Sequence, residues 1–317
     1  MAEQVNKTAL VLGATGGVGG ALTEVLLTRG WAIKALTRDP ARAAADRNPK
    51  IQWIHGDAMD RDAVVAAAAG VSLVVHAVNP PGYRDWDKLV LPMMDNSIAA
   101  AGAAGARVLL PGTVYNYGPD AFPLLREDSP QQPLTRKGKI RAAMERRLKE
   151  SGVPALVVRA GDFFGGGKSG NNWFAQGVVK AGRPLASISR PGKRGVGHGW
   201  AYLPDLAETM AQLIERTPAE GFQTFHFAGH WDADGTQMPQ AIRQAADREL
   251  KVKAFPWPLV TLLAPTVALF REMLEMRYLW REPLRLDNAK LVSVLGREPH
   301  TPLDEAVKTT LVELKCL

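Results

Sequence analysis

Three glycines at regular spacing follow the first apolar run of the chain. The segment from Leu10 to Gly19 reads LVLGATGGVG, with Gly13, Gly16 and Gly19 three residues apart. In such a loop the first glycine permits a tight turn, the second lets backbone approach a ligand, and the third lets helix and strand pack closely. A helix that begins here presents free N–H groups to an anion such as a phosphate. The segment therefore predicts a strand, a phosphate-binding loop and a helix, with a purely structural turn as the alternative.

Apolar runs of strand length alternate with alanine-rich stretches of helical period through the first half of the chain. Strands are predicted at Thr8–Leu12, Ala32–Leu36, Ile51–His55, Leu73–Ala77, Arg107–Leu110 and Ala155–Arg159. Helices are predicted at Gly19–Thr28, Ala41–Asp46, Arg61–Ala69, Val90–Ala104 and Ile140–Ser151. Alternation at this spacing is typical of βαβ units with right-handed crossovers. We therefore predict an α/β fold, a Rossmann doubly wound parallel sheet whose ligand lies beyond the carboxyl ends of the strands.

The pattern changes at about Gly165, where glycine-rich and proline-rich loops begin. Further on, Trp200–Thr217 has the pattern of an apolar helix and Gln223–Ala228 that of a strand. We predict that residues 1–164 form a dinucleotide-binding domain, completed by about residues 200–228. Residues 165–199 and 229–317 are predicted to form a smaller, mainly C-terminal substrate-binding lobe.

The composition indicates which cellular compartment and which kinds of partner to expect. The 317 residues are 46% hydrophobic, enough for a sizeable core, and carry a net charge of +7. Lys and Arg are scattered rather than grouped with aromatic residues, so we expect no nucleic-acid partner. The single cysteine, Cys316, suits a reducing compartment, and the polar start MAEQVNKTAL does not resemble a signal peptide. We expect a cytoplasmic protein, and no His, Cys and carboxylate set has the spacing of a metal site.

The glycine spacing, with Ala14 and Thr15 inside it, resembles that of the extended and atypical short-chain dehydrogenase/reductases. Further similar segments are Leu36–Pro40, Gly56–Asp57, Ala77–Pro80, Val158–Gly165 and Trp200–Ala207, so that the resemblance covers most of the chain. The resemblance implies a bound nicotinamide dinucleotide. The cofactor-binding residues that it implies are Gly13, Thr15, Gly16, Gly17, Val18, Gly19, Thr37, Arg38, Asp57, Ala58, Ala77, Val78, Asn79, Arg141, Ala160, Gly161 and Phe163.

The end of the second predicted strand bears on the choice between NAD(H) and NADP(H). An enzyme that uses NAD places a carboxylate here to bind the ribose hydroxyls. This chain has Thr37 and then Arg38, whose guanidinium can bind a 2′-phosphate in a forked geometry. Asp39 argues against NADP(H), because it places a carboxylate close to this position. However, a residue before Pro40 can begin the next turn instead. We predict a preference for NADP(H), with NAD(H) left open.

The usual catalytic pair of this family, Tyr-x-x-x-Lys, has no counterpart at the aligned positions. Lys137 stands at the Tyr position and Arg141 at the Lys position, and Pro111 occupies the place of the usual Ser, with Thr113 two residues on. The segment is similar to the Lys-x-x-x-Arg segment of isoflavone-reductase-like members, in which the Lys is the general acid/base. A lysine can serve in this way if burial and a nearby positive charge lower its pKa. Lys137 is the predicted catalytic residue, with a solvated lysine as the alternative.

Two tyrosines compete with Lys137 as proton donors. Tyr115 and Tyr117 follow the predicted fifth strand on the ligand side of the sheet, and packing is the alternative for both. Thr113 is predicted to bind a substrate oxygen.

The apolar segment Phe255–Phe270 and the mixed segment up to Trp280 are predicted to form a helix pair over an apolar substrate pocket. Core packing and a homodimer contact are the alternatives, and the prolines argue against a membrane span. The predicted function is an NADP(H)-dependent oxidoreductase acting on an apolar or aromatic carbonyl, alcohol or activated double bond. A non-catalytic NAD(P)-binding sensor and a sugar-nucleotide epimerase or dehydratase are the alternatives.

Overall fold

The structure is a computed structural model that describes residues 7–41, 48–80, 85–167 and 172–317. Its strands are β1 (Thr8–Leu12), β2 (Ala32–Thr37), β3 (Ile51–His55), β4 (Leu73–His76), β5 (Arg107–Thr113), β6 (Leu124–Leu125), β7 (Ala155–Ala160), β8 (Asp162–Phe164), β9 (Ile188–Arg190), β10 (His198–Tyr202), β11 (Phe222–His226), β12 (His230–Asp232), β13 (Val252–Ala254) and β14 (Arg285–Leu286). Its α-helices are α1 (Gly17–Thr28), α2 (Arg61–Ala67), α3 (Trp86–Ala104), α4 (Arg136–Glu150), α5 (Leu203–Arg216), α6 (Gln237–Ala246), α7 (Trp257–Leu263), α8 (Ala268–Glu275), α9 (Ala289–Leu295) and α10 (Leu303–Glu313).

A seven-stranded parallel sheet forms the centre of the fold, in the order β11-β7-β5-β4-β1-β2-β3. The chain runs outward from β1 in one direction through β2 and β3, and in the other through β4 and β5. The carboxyl ends of β1 and β4 therefore flank the point where the strand order reverses, which is where ligands of such sheets bind. The predicted α/β fold with a doubly wound parallel sheet is confirmed.

Helices cover both faces of this sheet, which explains why its strands read as continuous apolar runs. On one face α1 and α5 pack on β1, around Leu22 and Met210, which are fully buried. On the other face α2, α3 and α4 pack around Val64, Met94 and Met144. The helix α9 also packs on the first of these faces.

The smaller sheets gather beside the carboxyl edge of β7. Strand β10 pairs with β8 in parallel and with β12 antiparallel, and β9 pairs with β13. The core of this region joins Phe164, Phe174 and Trp200 to α6 and α10. Within the described residues, no helix is both long enough and apolar enough to cross a membrane.

Several predicted boundaries are wrong: α3 begins at Trp86 instead of Val90, and α4 begins at Arg136 instead of Ile140. The segment Trp200–Thr217 was predicted as helix throughout, but Trp200–Tyr202 belongs to β10 and the helix begins at Leu203. The reason is the pairing of Trp200 with Asp162, a contact across 38 positions that a helical period does not encode. The predicted helix Ala41–Asp46 lies outside the described residues from position 42 onward.

Candidate functional site

The glycine loop joins β1 to α1 at the reversal point of the sheet. Gly13 has a φ of +93°, and a Cβ added there would lie 2.4 Å from the carbonyl oxygen of Ala77. A Cβ on Gly19 would lie 2.3 Å from the carbonyl oxygen of Gly13. Gly16 precedes the first helical residue, and no side chain caps the helix. The loop is therefore pressed against the end of β4, and the first N–H groups of α1 remain available to an anion.

A cavity of about 630 Å³ opens beside this loop, and we call it the loop cavity. Of the predicted cofactor residues, it is lined by Gly13, Thr15, Thr37, Arg38, Asp57, Ala58, Val78 and Asn79. Gly16, Gly17, Val18, Gly19 and Ala77 shape the loop and its contact with α1, and they do not line the cavity. The glycine loop beside this cavity, together with the N–H donors at the start of α1, fits the pyrophosphate of a dinucleotide.

The end of β2 contributes the charged wall of the loop cavity. Arg38 is exposed and lines the cavity beside Thr37. The Thr37 hydroxyl accepts a hydrogen bond from the Asp39 N–H at 3.3 Å, and Asp39 lines the loop cavity together with Arg38. Asp57, after β3, accepts a hydrogen bond from the Met59 N–H.

A second cavity, the junction cavity, lies beyond the carboxyl ends of β4, β5 and β7 and measures about 130 Å³. Its lining includes seven residues predicted from the sequence, Asn79, Thr113, Tyr115, Arg141, Ala160, Gly161 and Phe163. The Arg141 guanidinium donates to Asn79 Oδ1 at 3.3 Å and lies 5.0 Å from the centre of the Trp86 ring. Since Asn79 lines both cavities, the loop cavity and the junction cavity adjoin at this residue.

A third cavity of about 260 Å³, the apolar cavity, lies on the other side of the junction cavity. The two share Tyr115, Asn172 and Trp173. The remaining lining comes largely from the C-terminal segment, with Gln176, Gly177, Phe255, Leu269, Phe270, Glu272, Met273 and Met276. Helix α8 therefore forms one wall of this cavity, and α7 packs beside α8, as expected for the predicted helix pair.

Lys137 lies at the start of α4 but outside the lining of the junction cavity. Its side chain is fully buried, and its ammonium group forms ion pairs with Glu272 and with Glu275, the latter at 2.6 Å. Its backbone N–H also donates to Glu275 at 2.7 Å. The solvated alternative for Lys137 is wrong, because α8 covers the start of α4. Lys137 as the general acid/base stays a prediction.

The two tyrosines occupy different environments. Tyr115 lines the junction and apolar cavities, and its N–H donates to Thr113 Oγ1 at 3.2 Å. Tyr117 is 1% exposed and lines neither cavity; its hydroxyl accepts a hydrogen bond from Arg159 at 2.5 Å and lies 3.0 Å from His226 Nε2. Burial raises the pKa of Tyr117 far above its usual value, although the positive charge of Arg159 lowers it. In this environment Tyr117 packs the interior instead of facing the cavities.

The buried network around Tyr117 holds the strands in place. Arg159, on β7, forms a two-point ion pair with Glu145 of α4, at 3.0 and 2.6 Å. Burial, reinforced by the charge of Arg159, lowers the pKa of His226 to about 3, so the imidazole is neutral at physiological pH. The network therefore ties α4 to the sheet beneath the junction cavity.

Four residues of the junction cavity were not among the predicted site residues: Trp86, Asp162, Asn172 and Trp173. Asp162 directly follows Gly161, and its carboxylate lies 2.9 Å from His198 Nε2. Its position just after the end of β7 is a sequence feature from which it could have been predicted as a site residue. Asn172 and Trp173 have no such feature; they lie directly before the short helical turn Phe174–Val178. Among the described residues, no group of three His, Cys, Asp or Glu could hold a metal ion.

Solved structures with low sequence identity share this fold over nearly the whole chain. An epimerase-like protein from Burkholderia cenocepacia has a TM-score of 0.77 at 21% identity, with 99% of this chain and 100% of that chain covered. The Bordetella bronchiseptica enzyme WbmH, solved in complex with NAD⁺, has a TM-score of 0.71 at 17% identity, with 98% of each chain covered.

Sequence comparison finds relatives with reductase names. A Streptomyces protein named 3-diazoavenalumate denitrifying reductase is 33% identical over 177 residues, which cover 50% of this chain and 57% of that protein. The chain thus spans little more than half the length of this relative. The NAD(P)H azoreductase of Xenophilus azovorans is 25% identical over 245 residues, with 77% of this chain and 76% of that protein covered.

A family model described as NAD(P)H-binding matches residues 13–191. The match begins at the first glycine of the loop and includes the strand ends that line the loop and junction cavities. It covers more than half of the 317 residues. This protein therefore belongs to the NAD(P)H-binding family, with a Rossmann-type dinucleotide-binding domain.

Proposed function

We propose that this protein is an NADP(H)-dependent oxidoreductase that transfers a hydride to an apolar or aromatic substrate. The observation that carries the proposal is the continuity of the three cavities. Asn79 joins the loop cavity to the junction cavity, and Tyr115 and Trp173 join the junction cavity to the apolar cavity. A dinucleotide with its pyrophosphate at the glycine loop would direct its nicotinamide toward the junction cavity, beside the apolar cavity.

Bound NADP(H) would supply the hydride, and the residues of this chain would bind and orient the reactants. The loop around Gly13 and the N-terminus of α1 would hold the pyrophosphate, and Arg141, with Asn79, would lie near the ribose. Tyr115 and Thr113 would face the substrate oxygen or nitrogen. Lys137 remains a candidate acid, although its ion pairs with two glutamates also explain its burial.

The lining of the apolar cavity supports an aromatic substrate. Trp173, Phe255 and Phe270 present ring surfaces, and Met273 and Met276 present adaptable thioether side chains. Two of the relatives reported above are named for reactions of diazo and azo compounds, in which two nitrogens share a multiple bond. We propose aromatic compounds with a polarised double bond, N=N bonds included, as the substrate class to test first.

The cofactor preference can be tested at Arg38. Replacing Arg38 with alanine should weaken NADPH binding by about tenfold or more, because a charge-assisted hydrogen bond to the 2′-phosphate contributes about 1.5–3 kcal/mol. NADH binding should change by less than about twofold, since NADH has no 2′-phosphate. Fluorescence titration of both cofactors measures the two dissociation constants. Equal losses of affinity for NADPH and NADH would mean that Arg38 does not contact the 2′-phosphate.

Turnover itself is tested by NADPH oxidation with a panel of aromatic ketones, enones and azo compounds. Replacing Phe270 with alanine should raise KM for the aromatic substrates several-fold and leave the NADPH dissociation constant unchanged. Leu262, which is 74% exposed and does not line the cavity, gives a control variant, Leu262→Ala. If the wild-type protein binds NADPH but oxidises it with no member of the panel, the sensor hypothesis replaces this proposal.

A further inference from the structure

An aspartate–histidine pair lies at the wall of the junction cavity. Asp162 is the first residue of β8, immediately after the turn at Gly161, and it lines the cavity. His198 is the first residue of β10, the strand that pairs with β8. The side chains of Asp162 and His198 are only 12% and 11% exposed, and Asp162 Oδ2 lies 2.9 Å from His198 Nε2.

Two contacts of the imidazole bear on where its protons lie. His198 Nδ1 is 3.2 Å from the carbonyl oxygen of Leu279. A carbonyl oxygen only accepts, so Nδ1 carries a hydrogen and donates it. Two acceptors facing each other at 2.9 Å would repel, so a second proton lies between Nε2 and the carboxyl group of Asp162. The pair therefore holds one proton in addition to the one on Nδ1, either on the imidazole or on the carboxyl group.

The imidazole ring cannot turn away from this arrangement. Trp280 stacks on it with ring centres 3.8 Å apart and planes 8° from parallel. Trp200 meets it edge-on, with a centre-to-centre distance of 4.9 Å. A ring that is packed on two sides and hydrogen-bonded at both nitrogens is preorganised, which is a requirement for a group that moves a proton.

We propose that Asp162 is the catalytic acid of this protein and that His198 is its positioning residue. This inference rests on the oxidoreductase function proposed above. Bound NAD(P)H would supply a hydride to one atom of the substrate double bond, and Asp162 would give a proton to the other atom. The substrate would thereby be reduced by two electrons, and the pair would be left one proton short, with Nε2 of His198 and the Asp162 carboxylate as two facing acceptors that favour reprotonation. Solvent returns the missing proton.

The other groups of the junction cavity support this assignment. Asp162 is the one carboxylic acid among the described residues that line the cavity, and Arg141 lines it too. The hydroxyl of Tyr278 lies near enough for the charge of Asp162 to raise its pKa further, although burial is the larger cause. The Tyr278 hydroxyl is therefore a weaker acid than an ordinary tyrosine and a poor alternative proton donor.

Kinetics with three variants test the proposal. Asp162→Asn should lower kcat by about a hundredfold or more, the usual contribution of a general acid, and leave the NADPH dissociation constant within about twofold. Asp162→Glu, which keeps the carboxyl group, should recover part of that loss. His198→Gln should lower kcat by about tenfold or more. His300→Gln removes an exposed imidazole that does not line the junction cavity and serves as the control.

A measurement without turnover is provided by ¹⁵N NMR of histidine-labelled protein, with His198→Gln to assign the signal. We expect Nδ1 of His198 to be protonated, and the Nε2 resonance to shift when Asp162 is replaced by asparagine. If Nδ1 is unprotonated, or if the Nε2 resonance does not shift in Asp162→Asn, the inference that the pair shares a proton is wrong.

The two proposals fail in different ways. If the wild-type protein reduces no substrate, both the oxidoreductase function and this assignment are lost. If the wild-type protein is active and Asp162→Asn keeps its full kcat, only the assignment to Asp162 is lost. A stable variant, checked by its Tm, makes either kinetic outcome decisive.

Discussion

Replacing Lys137 with methionine should lower the free energy of unfolding by about 3–5 kcal/mol, the usual result of breaking a buried ion pair from one side. The ammonium group of Lys137 is fully buried between Glu272 and Glu275. Without it, two carboxylates on adjacent turns of α8 would face the start of α4, with Arg136 as the remaining cation on Glu272. Urea denaturation of both proteins measures the difference.

The same helix provides the control. Arg147 on α4 pairs with Asp95, and both side chains are more than two-fifths exposed. Arg147→Met should therefore change the stability by less than about 1 kcal/mol. Equal stability of Lys137→Met and the wild type would contradict the buried ion pairs.

A combined variant separates the structural role of Lys137 from the predicted catalytic one. Lys137→Met together with Glu272→Gln and Glu275→Gln removes the lysine without leaving buried carboxylates uncompensated. If Lys137 only holds α8 in place, this variant should regain stability and should match the turnover of the double variant Glu272→Gln with Glu275→Gln, which is the reference because Glu272 also lines the apolar cavity. If Lys137 is the general acid/base, it should regain stability while kcat stays about a hundredfold lower.

Replacing Gly13 with alanine should abolish high-affinity cofactor binding and destabilise the domain. The added Cβ would lie 2.4 Å from the carbonyl oxygen of Ala77, a backbone atom that cannot rotate away. The ends of β1 and β4 would have to separate, which displaces the loop that holds the pyrophosphate. We expect a loss of at least about 3 kcal/mol in stability, the upper end of local backbone strain, and a rise of more than tenfold in the NADPH dissociation constant.

Gly30 is the matched control for Gly13. It also has a positive φ, +79°, but a Cβ there would meet no atom within 4 Å. Gly30→Ala should therefore cost only the conformational penalty, about 1–2 kcal/mol, and should leave NADPH binding unchanged. Thermal unfolding and fluorescence titration of the two variants, side by side, separate the close contact from the backbone angle. Similar binding losses in both variants would mean that the contact with Ala77 is unimportant.

The positions of the strands and the glycine loop follow from local features of the sequence. Apolar runs such as Leu73–Ala77 alternate with helical stretches, and each pattern is complete within a short segment. The spacing of Gly13, Gly16 and Gly19 is likewise local, so the loop, the helix and the lining of the loop cavity could be predicted. The grouping of residues at the strand ends also follows from the sequence, because parallel strands bring their carboxyl ends to one edge of the sheet.

Contacts between distant segments decided the rest of the site. Lys137 is buried by a helix that begins more than 130 positions later, and Tyr117 is held by His226, 109 positions away. His198 reaches Asp162 across 36 positions because β10 pairs with β8. Hydrophobic periodicity indicates which face of a helix or strand is apolar, but it does not indicate which distant element covers that face. The sequence by itself therefore determined the fold and the glycine loop, whereas only the tertiary structure decided which side chains line the junction cavity, because burial and hydrogen bonding there come from segments far apart in the chain.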